Sequence, residues 1–145
     1  MSTEQNKNLL ANVFAETAKS NGRPFVEALA DEVTWTISGS TPWSKTYAGK
    51  RAVLKELLGP LNAQLAGGNT ITASRIIGEG DLVVVEGRGH NRTKTGKPYA
   101  NTYCWVFRFQ DGKVVELTEY ADTALIESAL EPPSVRPEPG ERGDA

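Results

Sequence analysis

The order of helical and strand patterns along this sequence predicts an α+β fold, in which a curved sheet packs helices on one face. Apolar residues near the N-terminus recur at helical spacing, whereas from about residue 70 onward they alternate with polar residues, as in strands. No helical pattern separates these later strands, so we expect them to pair antiparallel. The 145 residues suit one domain with one core.

The N-terminal part is predicted to hold two helices and one strand. The first helix shows four residues at helical spacing: Leu10, Val13, Phe14 and Thr17. The turn formers SNGRP at 20–24 end it, and a short second helix, PFVEALA, then begins with proline. EVTWTIS, residues 32–38, alternates with period two and is predicted to be a strand.

The segment 39–49, GSTPWSKTYAG, is rich in turn formers and is predicted to be a loop. It nevertheless contains Trp43 and Tyr47. Two interpretations remain open for these aromatic residues: a lid over a cavity, or a loop packed onto the body. Residues 50–65 are predicted to be helical, with a break at their Gly-Pro pair.

The remaining elements are strands followed by a short helix. Four strands are expected, at about 70–78, 82–92, 98–109 and 113–121. The turn TKTGK joins the second and third of these, QDG joins the last two, and a final helix begins near Thr123. Residues 131–145 are rich in proline, glycine and charge, which predicts a disordered tail after a single domain spanning 1–130.

Strand alternation predicts which side chains share a face of the sheet. The four rows are Val33, Trp35 and Ile37; Leu82, Val84, Glu86, Arg88 and His90; Asn101, Tyr103, Trp105, Phe107 and Phe109; and Val115, Leu117, Glu119 and Ala121. If all four rows face one cavity, it is apolar and aromatic at depth and polar toward its mouth. That is the pattern of a small-molecule pocket.

The polar groups of these rows predict acid–base chemistry. Glu119 is the candidate base, Arg88 would orient it, and Glu86 and His90 would assist. Asp122 is a further candidate acid, although it is also well placed as the N-cap of the last helix. The expected substrate-binding residues are Trp35, Ile37, Trp43, Tyr47, Tyr103, Trp105 and Phe107. The same charges also suit an ion-pair network, and the same aromatics also suit a plain core.

Composition excludes several other classes of protein. The net charge of −2 provides no basic field for a nucleic acid, and no apolar run is long enough to span a bilayer. The N-terminus lacks the pattern of a secretory signal, so a cytoplasmic location is expected. Cys104 is the single cysteine, which favours a small strand hydrophobe over a metal ligand. Neither a metal nor a cofactor is expected.

Two stretches carry a family resemblance: FVEALADEVTWTISG…YAGKRAV, and TGKPYANTYCWVFRFQDGKVVELTEYADTALI. Together they resemble the nuclear transport factor 2-like superfamily over residues 9–130, most closely its SnoaL-like and ketosteroid-isomerase-like branch. The resemblance implies a cone-shaped, mixed or antiparallel sheet wrapped around the N-terminal helices, a cystatin-like α+β barrel. It also implies homodimers that pair through the outer faces of their sheets.

The resemblance bears on the site as well. The two acids of ketosteroid isomerases have no counterpart at the matching positions. The acid–arginine–acid set of limonene epoxide hydrolase matches Glu86, Arg88 and Glu119, with the first two in reversed order. Polyketide cyclases of the SnoaL type use a pocket acid as base, which implies Glu119 or Asp122.

Three functions therefore remain open. The first is a cofactor-free enzyme that isomerises, cyclises or hydrolyses a mostly apolar small molecule. The second is a ligand-binding protein with the same pocket and no turnover. The third is a protein-interaction domain that uses the sheet surface.

Overall fold

The computed structural model describes residues 1–134, so most of the tail that was expected to be disordered lies outside the described residues. The helices are α1 (Thr3–Thr17), α2 (Arg23–Ala28), α3 (Lys50–Ala52), a π-helical segment (Val53–Leu58), α4 (Gly59–Gln64) and α5 (Thr123–Ala129). The strands are β1 (Leu29–Ile37), β2 (Thr46–Ala48), β3 (Ile71–Glu79), β4 (Leu82–Gly89), β5 (Asn91–Arg92), β6 (Pro98–Tyr99), β7 (Thr102–Gln110) and β8 (Lys113–Ala121). The predicted α+β class is confirmed.

Six strands form the main sheet, in the order β2-β1-β8-β7-β4-β3. β1 and β8 run parallel, and the other neighbours are antiparallel. Within residues 1–134 neither edge strand, β2 or β3, pairs with the other, so the sheet stays open instead of closing into a barrel. β2 lies inside the segment that was predicted to be only a loop.

Two predicted strands are each broken in two. After β4 the chain leaves the main sheet at His90, whose backbone N–H donates to the Thr70 carbonyl at 2.9 Å. The next residues form the separate hairpin β5–β6, in which Asn91 pairs with Tyr99, and the predicted turn TKTGK closes that hairpin. The hairpin places Tyr99 at one end of the core, where it is 3% exposed.

Helix α1 covers the inner face of the sheet. A reciprocal capping box between Ser2 and Gln5 begins the helix, and its buried face includes all four residues that were predicted from spacing. The Thr17 hydroxyl donates to the Ile71 carbonyl at 2.8 Å, which fixes the end of α1 to β3. Within the described part of the chain, no helix is long and apolar enough to cross a membrane.

The helix at residues 50–64 changes its hydrogen bonding instead of breaking at the Gly-Pro pair. Pro60 lacks an N–H, and its ring crowds the carbonyl four residues earlier, so an ordinary α-helical turn is unfavourable there. The chain widens into the π-helical segment, and the Gly59 N–H donates to the carbonyl of Leu54, five residues before it. A Cβ at Gly59 would lie only 3.0 Å from that oxygen.

The inner row of β8 begins one residue earlier than predicted. Arg108 pairs with Glu116, but Phe109 pairs with Val114, so a bulge leaves Val115 without a partner on β7. Val114 is the buried residue, and the expected inward position of Val115 is wrong. Beyond the bulge, the alternation runs as predicted.

The outer face of the sheet is mixed. Ile77 and Tyr120 lie there with 51% and 50% of their surfaces exposed. Contiguous exposed apolar patches mark contacts between subunits, whereas single exposed apolar side chains such as these are common on any protein surface. The expectation that two copies pair through this face stays a prediction.

Candidate active site

A cavity of about 490 Å³ lies between the helices and the inner face of the sheet. Its volume is in the range of small-molecule sites. Among the described residues that line it, only Glu119 and Arg23 carry charge, and most of the others are apolar. The Arg23 side chain is 81% exposed and pairs with Glu27 at 3.2 Å, so it belongs to the rim. Glu119 is therefore the ionisable acid of the interior.

The sheet positions Glu119 between two strands. It lies on β8, where it pairs with Ile37 of β1 on one side and with Trp105 of β7 on the other. Because it alternates with Leu117, which is fully buried, its side chain points inward and is only 9% exposed. The prediction that this residue shares the inner face is confirmed.

The surroundings of Glu119 raise its pKa. Burial raises it from the ordinary value of 4.5 to about 7, while the indole groups of Trp105 and Trp35 act in the opposite direction. The Trp105 N–H donates to Oε1 of Glu119 at 3.0 Å. A carboxyl group with a pKa near neutrality is present in both protonation states at physiological pH, which suits it to proton transfer.

Trp35 borders the cavity next to this carboxyl group. Its ring packs against Phe25, with centroids 5.5 Å apart. Its side-chain N–H is buried and has no hydrogen-bond partner in the structure. The indole lies close enough to Glu119 to lower its pKa, although its N–H does not meet hydrogen-bond geometry with the carboxyl group.

One end of the cavity is polar and built from tyrosines. The Tyr103 ring stacks on Trp105 at 4.6 Å with an interplanar angle of 12°. Burial raises the pKa values of both Tyr103 and Tyr99, so both phenols stay protonated and can donate hydrogen bonds. Asn101 supports Tyr99, since its Nδ2 donates to the phenol oxygen at 3.3 Å.

Five of the seven predicted substrate-binding residues line the cavity: Trp35, Ile37, Trp43, Tyr103 and Trp105. Tyr47 does not, because its ring is buried beside the loop and its hydroxyl donates to the Trp43 carbonyl at 2.7 Å. Phe107 does not either. It packs in the core against Phe14 and Phe25.

The loop at 39–49 is packed onto the body, which corresponds to the second of the two interpretations. Trp43 is 3% exposed, and its N–H donates to the Glu131 carbonyl at 3.0 Å. Gln64 binds the same residue in both directions: its Nε2 donates to the Glu131 carbonyl and its Oε1 accepts from the Glu131 N–H. These bonds hold the chain that follows α5 beside the cavity, which Trp43 and Leu130 line.

The row of Glu86, Arg88 and His90 faces away from the cavity, so its predicted inward placement is wrong. The residues do share a face, but it is the outer one, since Val83 and Val85 are the buried residues of β4. Glu86 pairs with Arg75 at 2.9 Å on that surface. His90 is exposed and contacts the Thr72 hydroxyl at 2.9 Å, and Arg88 is exposed as well.

The inner row of β4 continues from its valines to Gly87 and Gly89, which have no side chain to mark it. Gly87 is required because neighbouring atoms approach its backbone closely. A Cβ at Gly87 would lie 2.6 Å from the Thr72 carbonyl oxygen and 3.0 Å from the Trp105 ring. The Trp105 indole thus occupies the space that a side chain would need.

We therefore expect Gly87→Ala to lower the free energy of unfolding by about 1–3 kcal/mol. Chemical denaturation measures the loss. Gly22→Ala is the matched control, because a Cβ there would meet no atom within 4 Å. Equal losses in the two variants would contradict the close approach as the cause.

Asp122 acts as a helix cap. Its Oδ1 accepts from the Leu125 N–H at 3.2 Å, and its own N–H donates to Asn101 Oδ1 at 2.9 Å. The side chain is exposed and does not line the cavity. The cap interpretation is confirmed, and the carboxylate is not part of the cavity.

Sequence reasoning missed the helical wall of the cavity. The π-helical segment and α4 supply Leu54, Leu57, Leu58 and Leu61. Their i, i+3, i+4, i+7 spacing is visible in the sequence and indicates one apolar helix face, so the signal was available. Tyr99 gave no comparable signal, because it lies in a two-residue strand.

Within residues 1–134, no three His, Cys, Asp or Glu side chains come together in a group that could hold a metal ion. The Cys104 thiol is partly buried on β7, and burial raises its pKa, which makes it a poor ligand or nucleophile.

The fold and the cavity define a class: an α+β domain whose open sheet and helices enclose a pocket with a buried carboxyl group. The SnoaL-like domain family matches residues 10–117, well over half of the chain, and the protein belongs to this family. Glu119 lies just beyond the matched range. No curated protein matches the sequence.

Solved structures share the fold at low sequence identity. An NTF2-like protein from Burkholderia thailandensis has a TM-score of 0.74 and 23% identity, covering 88% of this chain and 98% of its own. One from Burkholderia xenovorans has 0.70 and 22%, covering 90% and 99%. An LEH-like epoxide hydrolase from M. tuberculosis has 0.65 and 18%, covering 84% and 86%. These likenesses support the fold, while the chemistry depends on the residues in the cavity.

Proposed function

We propose that the protein is a cofactor-independent enzyme that transfers a proton to or from a mostly apolar small molecule, with Glu119 as the acid–base group. The observation that carries the proposal is a buried carboxyl group with a pKa of about 7 inside an otherwise apolar cavity. A base whose pKa lies near the working pH combines a large ionised fraction with useful basicity.

The surroundings of Glu119 support a role that uses both of its protonation states. No cationic side chain is among the causes of its pKa, so its ionised form is not locked by an ion pair. Trp105 holds one carboxyl oxygen in a fixed position. A bound apolar molecule would displace water from the cavity, which would strengthen the electrostatic interactions of the carboxyl group.

The arrangement favours isomerisation or cyclisation over epoxide hydrolysis. The LEH-like structure shares the fold, and the sequence offered Glu86 and Arg88 as partners for Glu119. Both partners lie on the outer face of β4. Within the described part of the cavity wall, Glu119 is the one carboxylate, which suits a group that takes a proton from one atom and returns it to another.

Hydrogen–deuterium exchange tests the proposal without knowledge of the product. A panel of cyclic ketones is incubated with the protein in deuterium oxide, and C–H exchange is followed by NMR. Wild-type protein should accelerate exchange, with a rate that rises as the pH passes through about 7, where Glu119 ionises. Glu119→Gln should reduce this acceleration by at least about 100-fold.

Glu86→Gln is the matched control, because it makes the same chemical change on the outer face. It should exchange ketones as fast as wild-type protein. Full exchange in the Glu119→Gln variant would contradict the assignment of the base.

A ligand-binding role without turnover is the second candidate. The hydrogen bonds from Trp43 and Gln64 to Glu131 hold Leu130 and Glu131 beside the cavity, and a wall fixed in this way favours retention of a ligand. Tight binding of a panel member, together with no exchange by wild-type protein at any pH, would favour this role.

A further inference from the structure

Trp35 carries a buried hydrogen-bond donor that meets no acceptor with hydrogen-bond geometry in the structure. Among the described residues, two buried side-chain polar atoms have no hydrogen-bond partner, Trp35 Nε1 and Asn6 Oδ1. Asn6 lies on α1 and does not border the cavity, whereas Trp35 does. The unused donor therefore belongs to the wall of the ligand site.

An unpaired N–H in this position is costly. A buried N–H without an acceptor destabilises a fold unless another component supplies the partner. The other two tryptophans show the usual arrangement: Trp105 donates to Glu119, and Trp43 donates to the Glu131 carbonyl. Trp35 thus differs from both in leaving its donor available.

We propose that the Trp35 N–H binds an acceptor oxygen of the ligand and selects apolar molecules that carry a carbonyl or ether-type oxygen. An indole N–H donates and cannot accept, so it discriminates for such an oxygen and gains nothing from a hydrocarbon. The inference rests on the proposed small-molecule function of the cavity and adds the polar group that the ligand must carry.

The location explains what this contact would achieve. Trp35 and Glu119 lie on the inner faces of neighbouring strands, with Trp35 opposite Leu117, two residues from Glu119. An oxygen held by Trp35 would place the adjacent carbon atoms beside the carboxyl group. Tyr103 is the other candidate donor, but its phenol already forms a hydrogen bond with Tyr99.

Ligand pairs that differ by one oxygen test the proposal. The probes are 2-tetralone and its hydrocarbon analogue tetralin, with both dissociation constants measured by calorimetry. Wild-type protein should prefer the ketone, and Trp35→Phe, which keeps an aromatic ring and removes the N–H, should lower that preference about ten-fold. Trp43→Phe is the matched control, because its N–H already binds Glu131. Whatever it does to the two affinities, it should leave their ratio as in wild-type protein.

A second measurement keeps the proposal testable if the Trp35→Phe variant does not fold. In 15N-labelled wild-type protein the Trp35 indole proton signal should move downfield with 2-tetralone and stay in place with tetralin. No preference for the ketone, no movement of this signal, or failure of both probes to bind would overturn the proposal.

The outcomes also separate this inference from the proposed function. If Trp35→Phe leaves the ratio of the two dissociation constants unchanged while Glu119→Gln loses C–H exchange, the role of Trp35 is wrong and the base assignment stands. A lowered ratio, with exchange retained in Glu119→Gln, would leave the oxygen contact and remove the base.

Discussion

In wild-type protein, the ionisation of Glu119 is expected to lower the free energy of unfolding by roughly 3 kcal/mol as the pH rises. The Glu119→Gln variant should lose this pH dependence. Because the pKa of Glu119 is about 7 in the folded protein and 4.5 ordinarily, the folded protein keeps a proton that the unfolded chain releases between these values. Unfolding then releases a proton. The contribution of this group to the free energy of unfolding is therefore complete below pH 4.5, falls as the pH rises, and is lost above about 7.

Chemical denaturation across this pH range measures the effect. The difference between wild-type protein and Glu119→Gln isolates the one group, because all other titrating residues are shared. The free energy of unfolding of the variant should rise relative to that of wild-type protein up to about pH 7, and the difference should be constant above that pH. A curve for Glu119→Gln that runs parallel to that of wild-type protein would contradict the raised pKa of Glu119.

A catalytic role for Glu119 would explain why the protein buries an acid at a cost in stability. Proteins commonly sacrifice stability at active sites, where a strained or desolvated group is needed for chemistry. A hydrophobic residue at position 119, like its neighbour Ile37 on β1, would not carry this desolvation cost. The presence of a carboxyl group in this apolar row is what the proposed proton transfer would require.

The sequence predicted the site correctly where large side chains mark the inner face. On β7 the alternation of Tyr103, Trp105 and Phe107 with smaller or polar residues left one orientation that buries the aromatics. The same reasoning placed Glu119, because it shares parity with a buried leucine on β8. In these strands the hydrophobic pattern determines the register.

The same reasoning failed on β4, for a physical reason. Both faces of that strand begin with apolar residues, so burial alone did not distinguish them. The inner face then continues as Gly87 and Gly89, and the missing side chain of Gly87 makes room for the Trp105 ring from β7. That room depends on the neighbouring strand and not on the local sequence. The row of Glu86, Arg88 and His90 suggested an inward polar face in the sequence, but these residues lie on the outer surface.

Other features depend on contacts that no local pattern encodes. The bulge at Val115 is set by the pairing of β8 with β7, and it shifts one apolar residue to the other face. The bond between Trp43 and Glu131 joins residues that are 88 positions apart. The unused donor of Trp35 is likewise a property of the assembled core.

Trp105→Ala is expected to cost about 3–5 kcal/mol in the free energy of unfolding, the range for removing a large aromatic side chain from a core. Trp105 is 2% exposed, and its ring centroid lies 5.2 Å from that of Phe14. Its ring stacks on Tyr103, and its N–H donates to Glu119. Trp105 therefore combines packing in the core with a hydrogen bond to the acid. Chemical denaturation measures the loss, and Val106→Ala, on the half-buried outer side of the same strand, should cost much less.

Trp105→Phe separates the two roles of this residue. It keeps an aromatic ring in the core but removes the donor to Glu119. A hydrogen bond to a charged group contributes about 1.5–3 kcal/mol, and one to a neutral group about 0.5–1.5 kcal/mol. The Phe variant should therefore lose more stability above the pKa of Glu119 than below it, and the loss should become independent of pH in the Glu119→Gln background. A pH-independent loss with Glu119 present would mean that Trp105 supports the core alone and does not stabilise the ionised acid.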